Sequence, residues 1–131
     1  MSNFGELYQT ADWKSEKHVP VIECQDTVAA DTPFNVTITV GKEIAHPNTT
    51  EHHIRWIKLY FKPEGDKFSY EVGVCEFNAH GECVDGPNKG SVYADPSAMV
   101  KMKIKKSGVL FAASFCNIHG LWQNSIQIKI S

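Results

Sequence analysis

The sequence predicts an all-β protein: an antiparallel β-sandwich of about seven strands, in a single domain spanning residues 1–131. Three observations predict it. Apolar residues recur at every second position through most of the chain, as in strands with one buried and one wet face. Turn-forming residues interrupt that alternation roughly every ten residues. No stretch of useful length carries the 3.6-residue apolar period of an amphipathic helix. A chain of this length buries a real core without disulfide staples.

The elements follow in order. Residues 1–17 are polar and irregular, and read as a short extension that contributes to the site, not as a second domain. A first strand starts just after His18. Phe34, Val36, Ile38 and Val40 alternate with Asn35, Thr37 and Thr39, the pattern of a half-buried strand. Arg55 to Lys62, Phe68 to Asn78 and Gly108 to Cys116 are apolar on both faces and rich in β-branched or aromatic residues, which predicts inner strands. Val100, Met102 and Ile104 alternate with Lys101, Lys103 and Lys105, a wet or edge face. Ile126, Ile128 and Ile130 close the chain around Gln127 and Lys129. Breakers separate these runs at Asp31-Thr32-Pro33, Pro63-Glu64-Gly65-Asp66, Asp85-Gly86-Pro87-Asn88 and Lys106-Ser107-Gly108.

Composition narrows the setting. A formal charge of -2 and a pI near 6.3 give no reason to expect nucleic acid or an anionic membrane as partner. Met1 to Tyr8 has neither a basic nor an apolar targeting region, and runs such as Val109 to Ala113 are too short to span a bilayer. Cys24, Cys75, Cys83 and Cys116 match no zinc C-x-x-C pair, and the core removes the need for a disulfide framework, so a reduced, cytoplasmic setting is expected. Cys24, Cys75 and Cys83 read as small buried hydrophobes.

Three segments hold the chemistry. Cys116-Asn117-Ile118-His119-Gly120 places a thiol and an imidazole three residues apart. Glu16-Lys17-His18-Val19-Pro20 lies near the N-terminus, and His46-Pro47-Asn48-Thr49-Thr50-Glu51-His52 follows a third of the way along. Each cluster adjoins a Pro or Gly that fixes a loop, and loops at the end of a rigid sandwich commonly carry function. His53 would face away from His52 on extended backbone, and His80 reads as a solvated turn residue. Trp122 reads as a core aromatic near the site.

Four neutral imidazoles and a thiolate around a divalent ion leave a net charge of about +1. Structural zinc favours four ligands in a closed tetrahedron, so a five-ligand set suits it poorly. A thiolate with several imidazoles suits iron or copper better. A thiolate opposite an open position would push electron density toward a small anionic guest.

These motifs resemble those of the superoxide reductases, of the small neelaredoxin type within the desulfoferrodoxin family, in ligand order, spacing and flanking Pro and Gly. The resemblance runs from about residue 5 to the C-terminus. It implies an immunoglobulin-like sandwich and one mononuclear iron, with His18, His46, His52 and His119 as equatorial ligands and Cys116 as the axial one. It implies an enzyme whose ferrous iron reduces superoxide to hydrogen peroxide without producing oxygen, with rubredoxin as electron donor and a homotetrameric assembly. Glu16 matches the glutamate that closes the oxidised site, and Lys17 the lysine that guides superoxide. The four-cysteine iron domain of some relatives is not expected, since no cysteine precedes Cys24.

The alternative from another class is a blue-copper electron carrier, also a β-sandwich with a late Cys-x-x-His pair. It expects a downstream axial methionine, and none follows Met102. It also leaves His18 and one of His46 and His52 idle. A metal-free adhesion module would make all three clusters coincidental.

Overall fold

The structure, a computed structural model, describes residues 2–131, so Met1 of the predicted extension lies outside it. Eight strands form two sheets. They are β1 (Pro20–Glu23), β2 (Thr27–Val28), β3 (Phe34–Val40), β4 (Ile54–Pro63), β5 (Tyr70–Glu76), β6 (Ser97–Met102), β7 (Gly108–Cys116) and β8 (Gly120–Ile130). The smaller sheet runs β1-β3-β6 and the larger β2-β8-β7-β4-β5. The alternation in β3 does what it predicts. Phe34, Val36, Ile38 and Val40 are buried, and they meet Ile57, Leu59, Leu110 and Ile128 from the larger sheet in one core. Each such side chain contributes roughly 1.5–3 kcal/mol on burial.

The register explains why the three sequence clusters meet. Pro20 at the start of β1 pairs with Val40 at the end of β3. Ile54 at the start of β4 pairs with Cys116 at the end of β7, which in turn pairs with Gly120 at the start of β8. The residues before β1, after β3, before β4 and after β7 therefore leave the sandwich at one end. A register shift between Ile54 and Trp56 falls at that same end, where bulges commonly re-aim side chains. The extension carries one 3-10 turn, Phe4–Leu7, and is then tied alongside β8: the Gln9 amide donates to the Leu121 carbonyl and the Gln123 amide to the Gln9 carbonyl.

Three expectations need correction. The segment from Phe68 to Asn78 is not an inner strand: β5 lies at the edge of the larger sheet, with Tyr70 and Val74 exposed. Apolarity on both faces misled because the outward face of the sheet is not covered: Val74 pairs with Lys58 on that face, while Tyr70 sits at the start of this edge strand beyond a register shift. The pairing is not wholly antiparallel, since the two-residue β2 runs parallel to β8. Cys83 is exposed, unlike the half-buried Cys24 and Cys75, because it sits in the turns between β5 and β6.

Candidate metal centre

His18 reaches the site from the last turn of the extension, immediately before Val19 and Pro20, both fully covered. His46 and His52 both sit in the loop between β3 and β4. Gly41 begins that connection at φ +88°, and a Cβ there would come within 2.4 Å of the His46 amide nitrogen. Only glycine allows the chain to pass so close to the His46 backbone. Further along, the Thr49 hydroxyl accepts from the His52 amide at 3.1 Å and donates to the His52 carbonyl at 3.2 Å, and the Thr49 amide donates to the same carbonyl. These bonds close a tight turn that presents the His52 ring.

Cys116 is the last residue of β7, so it lies on a strand end and not in the loop proper. It is 0% exposed. The chain turns through Asn117 to His119 and re-enters β8 at Gly120, at φ +85°. The His119 carbonyl accepts from Gln9 Nε2 at 2.9 Å and from Trp122 Nε1 at 3.2 Å. The His119 amide points inward and donates to Cys116 Sγ at 3.4 Å, and amide donation to a ligating sulfur is one lever on a metal's potential. Trp122 stacks on His18 with centroids 5.1 Å apart.

The four imidazoles form a closed circuit. Ring centroids are 4.9 Å apart for His18 and His46, 4.7 Å for His46 and His52, 5.0 Å for His52 and His119, and 4.4 Å for His119 and His18. His18 and His52 stand further apart, at 6.2 Å. That is a four-membered ring with His18 opposite His52 and His46 opposite His119. Ligand atoms of His18, His52, His119 and Cys116 all lie within 4.8 Å of one another. His46 stands just outside that mutual group, while its ring occupies the fourth place in the circuit.

The donor chemistry fits a metal ion. His18 Nδ1 donates to Glu16 Oε1 at 2.5 Å and His46 Nδ1 to the Pro47 carbonyl at 2.7 Å, which leaves each Nε2 with a lone pair. The Nε2 atoms of His18, His46 and His52 are all buried without a hydrogen-bond partner. Three unpartnered buried nitrogens within one cluster of rings would be costly in a purely structural role. His119 turns Nδ1 toward the sulfur, 3.7 Å away. Imidazoles ligate a metal only when neutral, and the environment of His18, His46 and His52 favours that form. Burial pushes His46 down to about 4, with the Lys17 charge among the smaller causes. Burial likewise lowers His52, and it lowers His18 despite the Glu16 carboxylate beside it. The Glu16–His18 contact is accordingly a hydrogen bond from a neutral ring. Burial works against the Glu16 carboxylate, but its bonds from the His18 ring and amide win and hold it below the usual range.

This has a measurable consequence for the metal-free protein. His46 ionises at about 4 when folded and near 6.5 when unfolded. Between those values the unfolded chain holds more protons, so stability is intact above pH 6.5 and falls as pH drops toward 4. His46 alone accounts for roughly 3 kcal/mol at most, and His18 and His52 act in the same direction. Denaturant midpoints of the metal-free protein across that window check this; a flat profile would contradict it.

Of the other sequence candidates, Lys17 is half-buried and its charge reaches His18, His46 and His52. Glu16 sits behind His18 in this structure, outside the mutual ligand group. His80 is not a solvated turn residue. It is 6% exposed and stacks face to face on His53, with centroids 3.5 Å apart. Sequence reasoning missed this pair because His80 reaches its partner from a distant excursion. His53 is buried outside the circuit, its Nδ1 bonded to the Thr49 carbonyl. Sequence reasoning also missed Gln9, whose side chain fixes the His119 carbonyl from the extension.

Comparison with known proteins agrees with this geometry. The profile of the Desulfoferrodoxin family, "Desulfoferrodoxin", matches residues 10–125. The chain is 69% identical over 125 residues to the neelaredoxin of Megalodesulfovibrio gigas, covering 95% of this chain and 96% of that protein. It is 55% identical to the superoxide reductase of Pyrococcus furiosus, covering 95% and 98%. Among solved structures, the reduced superoxide reductase (neelaredoxin) of Archaeoglobus fulgidus superposes with a TM-score of 0.88 at 58% identity, over 94% of this chain and 98% of that one. Agreement this extensive, in a chain whose imidazoles and sulfur already converge as a metal site, means that the protein belongs to the desulfoferrodoxin family, among the superoxide reductases of neelaredoxin type.

Proposed function

We propose that this protein is a superoxide reductase that holds one mononuclear iron between the four-imidazole circuit and the Cys116 sulfur. The single observation that carries this reading is that circuit, with three buried, unpartnered Nε2 atoms and a fully buried thiol grouped with His18, His52 and His119. Iron bound there supplies one electron to each superoxide, which takes up two protons to leave as hydrogen peroxide. His18, His46, His52, His119 and Cys116 are the residues that would hold it. His18 and His46 have their distal nitrogens committed to Glu16 and Pro47, which fixes both tautomer and ring orientation. The Cys116 sulfur, shut off from water, would donate electron density to iron held there. A blue-copper centre uses two histidines, one cysteine and a long axial ligand; four imidazoles around one sulfur exceed that set.

Lys17 draws the anion in. Its ammonium stands close enough to weigh on three of the imidazoles, so its field also reaches the open side of the site. Glu16 has two states in this reading. Bonded to His18 it orients that ring; with oxidised iron bound, the extra positive charge would attract its carboxylate away from those bonds and toward the metal. Glu16→Ala should therefore shift the visible spectrum of the oxidised protein and ease binding of azide or cyanide. It should leave the second-order rate of the ferrous protein with superoxide almost unchanged, and a large loss in that rate would remove the gating role.

Rubredoxin is the electron donor in this reading, supported by the family resemblance. A homotetramer, likewise, is supported by the family resemblance. Four free cysteines support a reduced, cytoplasmic setting, and no helix among the described residues is long and apolar enough to cross a membrane. The deciding experiment is metal analysis with a visible spectrum of the oxidised protein. One iron per chain and a thiolate-to-ferric charge-transfer band are expected; zinc or copper at stoichiometric level, or no such band, would overturn the reading.

A further inference from the structure

The loop that carries His52 and the turn that follows Cys116 are far apart in sequence, and one side chain joins them. Asn117 Oδ1 accepts from the His53 amide at 2.8 Å, and Asn117 Nδ2 donates to the Glu51 carbonyl at 3.0 Å. The Asn117 backbone amide adds a bond to the His53 carbonyl at 3.2 Å. The residues on both sides of His52 are thus bound to the residue next to Cys116. No other side chain among the described residues bonds the backbone on both sides of a ring in the circuit.

The chemistry of the carboxamide makes this specific. It offers one acceptor and two donors on a short, two-torsion side chain. Here the acceptor meets an amide N–H and a donor meets a carbonyl, so both halves are used in the sense only Asn or Gln allows. An aspartate at 117 would keep the acceptor but turn a second oxygen toward the Glu51 carbonyl. On the far side, the loop meets Asn88, whose Oδ1 accepts from the Thr50 amide at 2.8 Å and whose Nδ2 donates to the Glu51 carboxylate. Asn88 and Glu51 are exposed, whereas Asn117 is half-buried, so water competes more with the Asn88 contacts.

We propose that Asn117 is a positioning residue of the metal centre: its carboxamide sets the His52 imidazole in register with the Cys116 sulfur. Loss of that registration loosens one of the four imidazoles relative to the thiolate. Iron then leaves more readily, and the thiolate-to-iron electronic transition changes with the altered ligand field. The inference rests on the metal-centre reading given above.

Three variants test it: Asn117→Ala, Asn117→Asp, and Asn88→Ala as the comparison. The readouts are the rate of Fe(II) loss to a strong chelator, the position and width of the thiolate-to-ferric band, and the denaturant midpoint of each metal-free protein. Partners of this kind typically govern affinity by 10–100-fold. Asn117→Ala should lose iron about 10–100 times faster with a displaced or broadened band, while its metal-free midpoint moves little. Asn117→Asp should fall between it and wild type, and remains informative where the alanine variant folds poorly. Asn88→Ala should change iron loss by less than about threefold, since its contacts are exposed. Wild-type iron retention and band in both Asn117 variants would overturn the proposal. So would faster iron loss that merely parallels a lower metal-free midpoint with an unmoved band. Co(II) loading separates the two readings: wild type that takes up Co(II) with a thiolate-to-cobalt band but no iron overturns the iron assignment, and Co(II) loss from the Asn117 variants then decides the positioning role. Wild type that takes up neither metal overturns both.

Discussion

Replacing Cys116 by serine should abolish the thiolate-to-ferric band and reduce reductase activity to background, with the sandwich still folded. The sulfur is fully buried at the end of β7, facing three ligand atoms of the circuit and accepting from the His119 amide. A serine hydroxyl is smaller, remains protonated at neutral pH and is a far weaker electron donor than a thiolate. Both the charge-transfer transition and the electron density behind the open position disappear with the sulfur. The fold loses less. The two side chains are close in size, and the backbone pairs of residue 116 with Ile54 and Gly120 do not involve the side chain. A buried hydroxyl with incomplete partners costs about 1–3 kcal/mol, which a domain of this size tolerates. Cys24→Ser provides the control. Cys24 is half-buried beside β2 with its thiol on the Gln25 carbonyl, remote from the circuit, and its variant should keep both band and activity. Visible spectra, turnover and far-UV circular dichroism of the two variants check this. If they behave alike, Cys116 is a packing residue and the axial assignment is wrong.

Replacing Lys17 by alanine should slow the reaction of the ferrous protein with superoxide about tenfold and leave the visible spectrum of the iron in place. A unit charge about 6 Å from the incoming anion is worth roughly 1–3 kcal/mol at effective dielectrics between about 20 and 60. Lys17 is only half-buried, so solvent screening removes part of that. What remains is near 1.4 kcal/mol, a factor of about ten in rate. The salt response is the sharper test, because a purely structural lysine would not produce it. Steering is screened over about 10 Å at 0.1 M ionic strength, so the wild-type rate should fall with salt and the variant's should fall less. Pulse radiolysis or stopped flow on both proteins across a range of ionic strength measures it. Equal rates, or equal salt slopes, would leave Lys17 as one more solvated charge.

Much of this protein is legible in its sequence because the signals are local. The alternation through Phe34 to Val40 specifies a strand and its buried face, since side chains on extended backbone point alternately to opposite sides. The segments around His18, His46–His52 and Cys116–His119 announce a metal site because imidazoles, a thiol and loop-fixing Pro and Gly stand together in each. Other properties depended on neighbours that no local pattern names. β5 reads like an inner strand, and only the order of strands in the sheet places it at an edge with Tyr70 and Val74 exposed. His80 reads like a turn residue, and only the fold of the long β5–β6 excursion stacks it on His53.

The same division runs through the site. Residue type and spacing determined which groups could ligate, and they did so because ligation depends on the chemistry of the side chain itself. The order of the rings around the circuit, the Nε2 atoms stripped of partners and the bridging of the His52 loop to the Cys116 turn by Asn117 were decided by the tertiary structure alone. Each of these depends on where strands that are distant in sequence end relative to one another, and that is set by the register of the sheets.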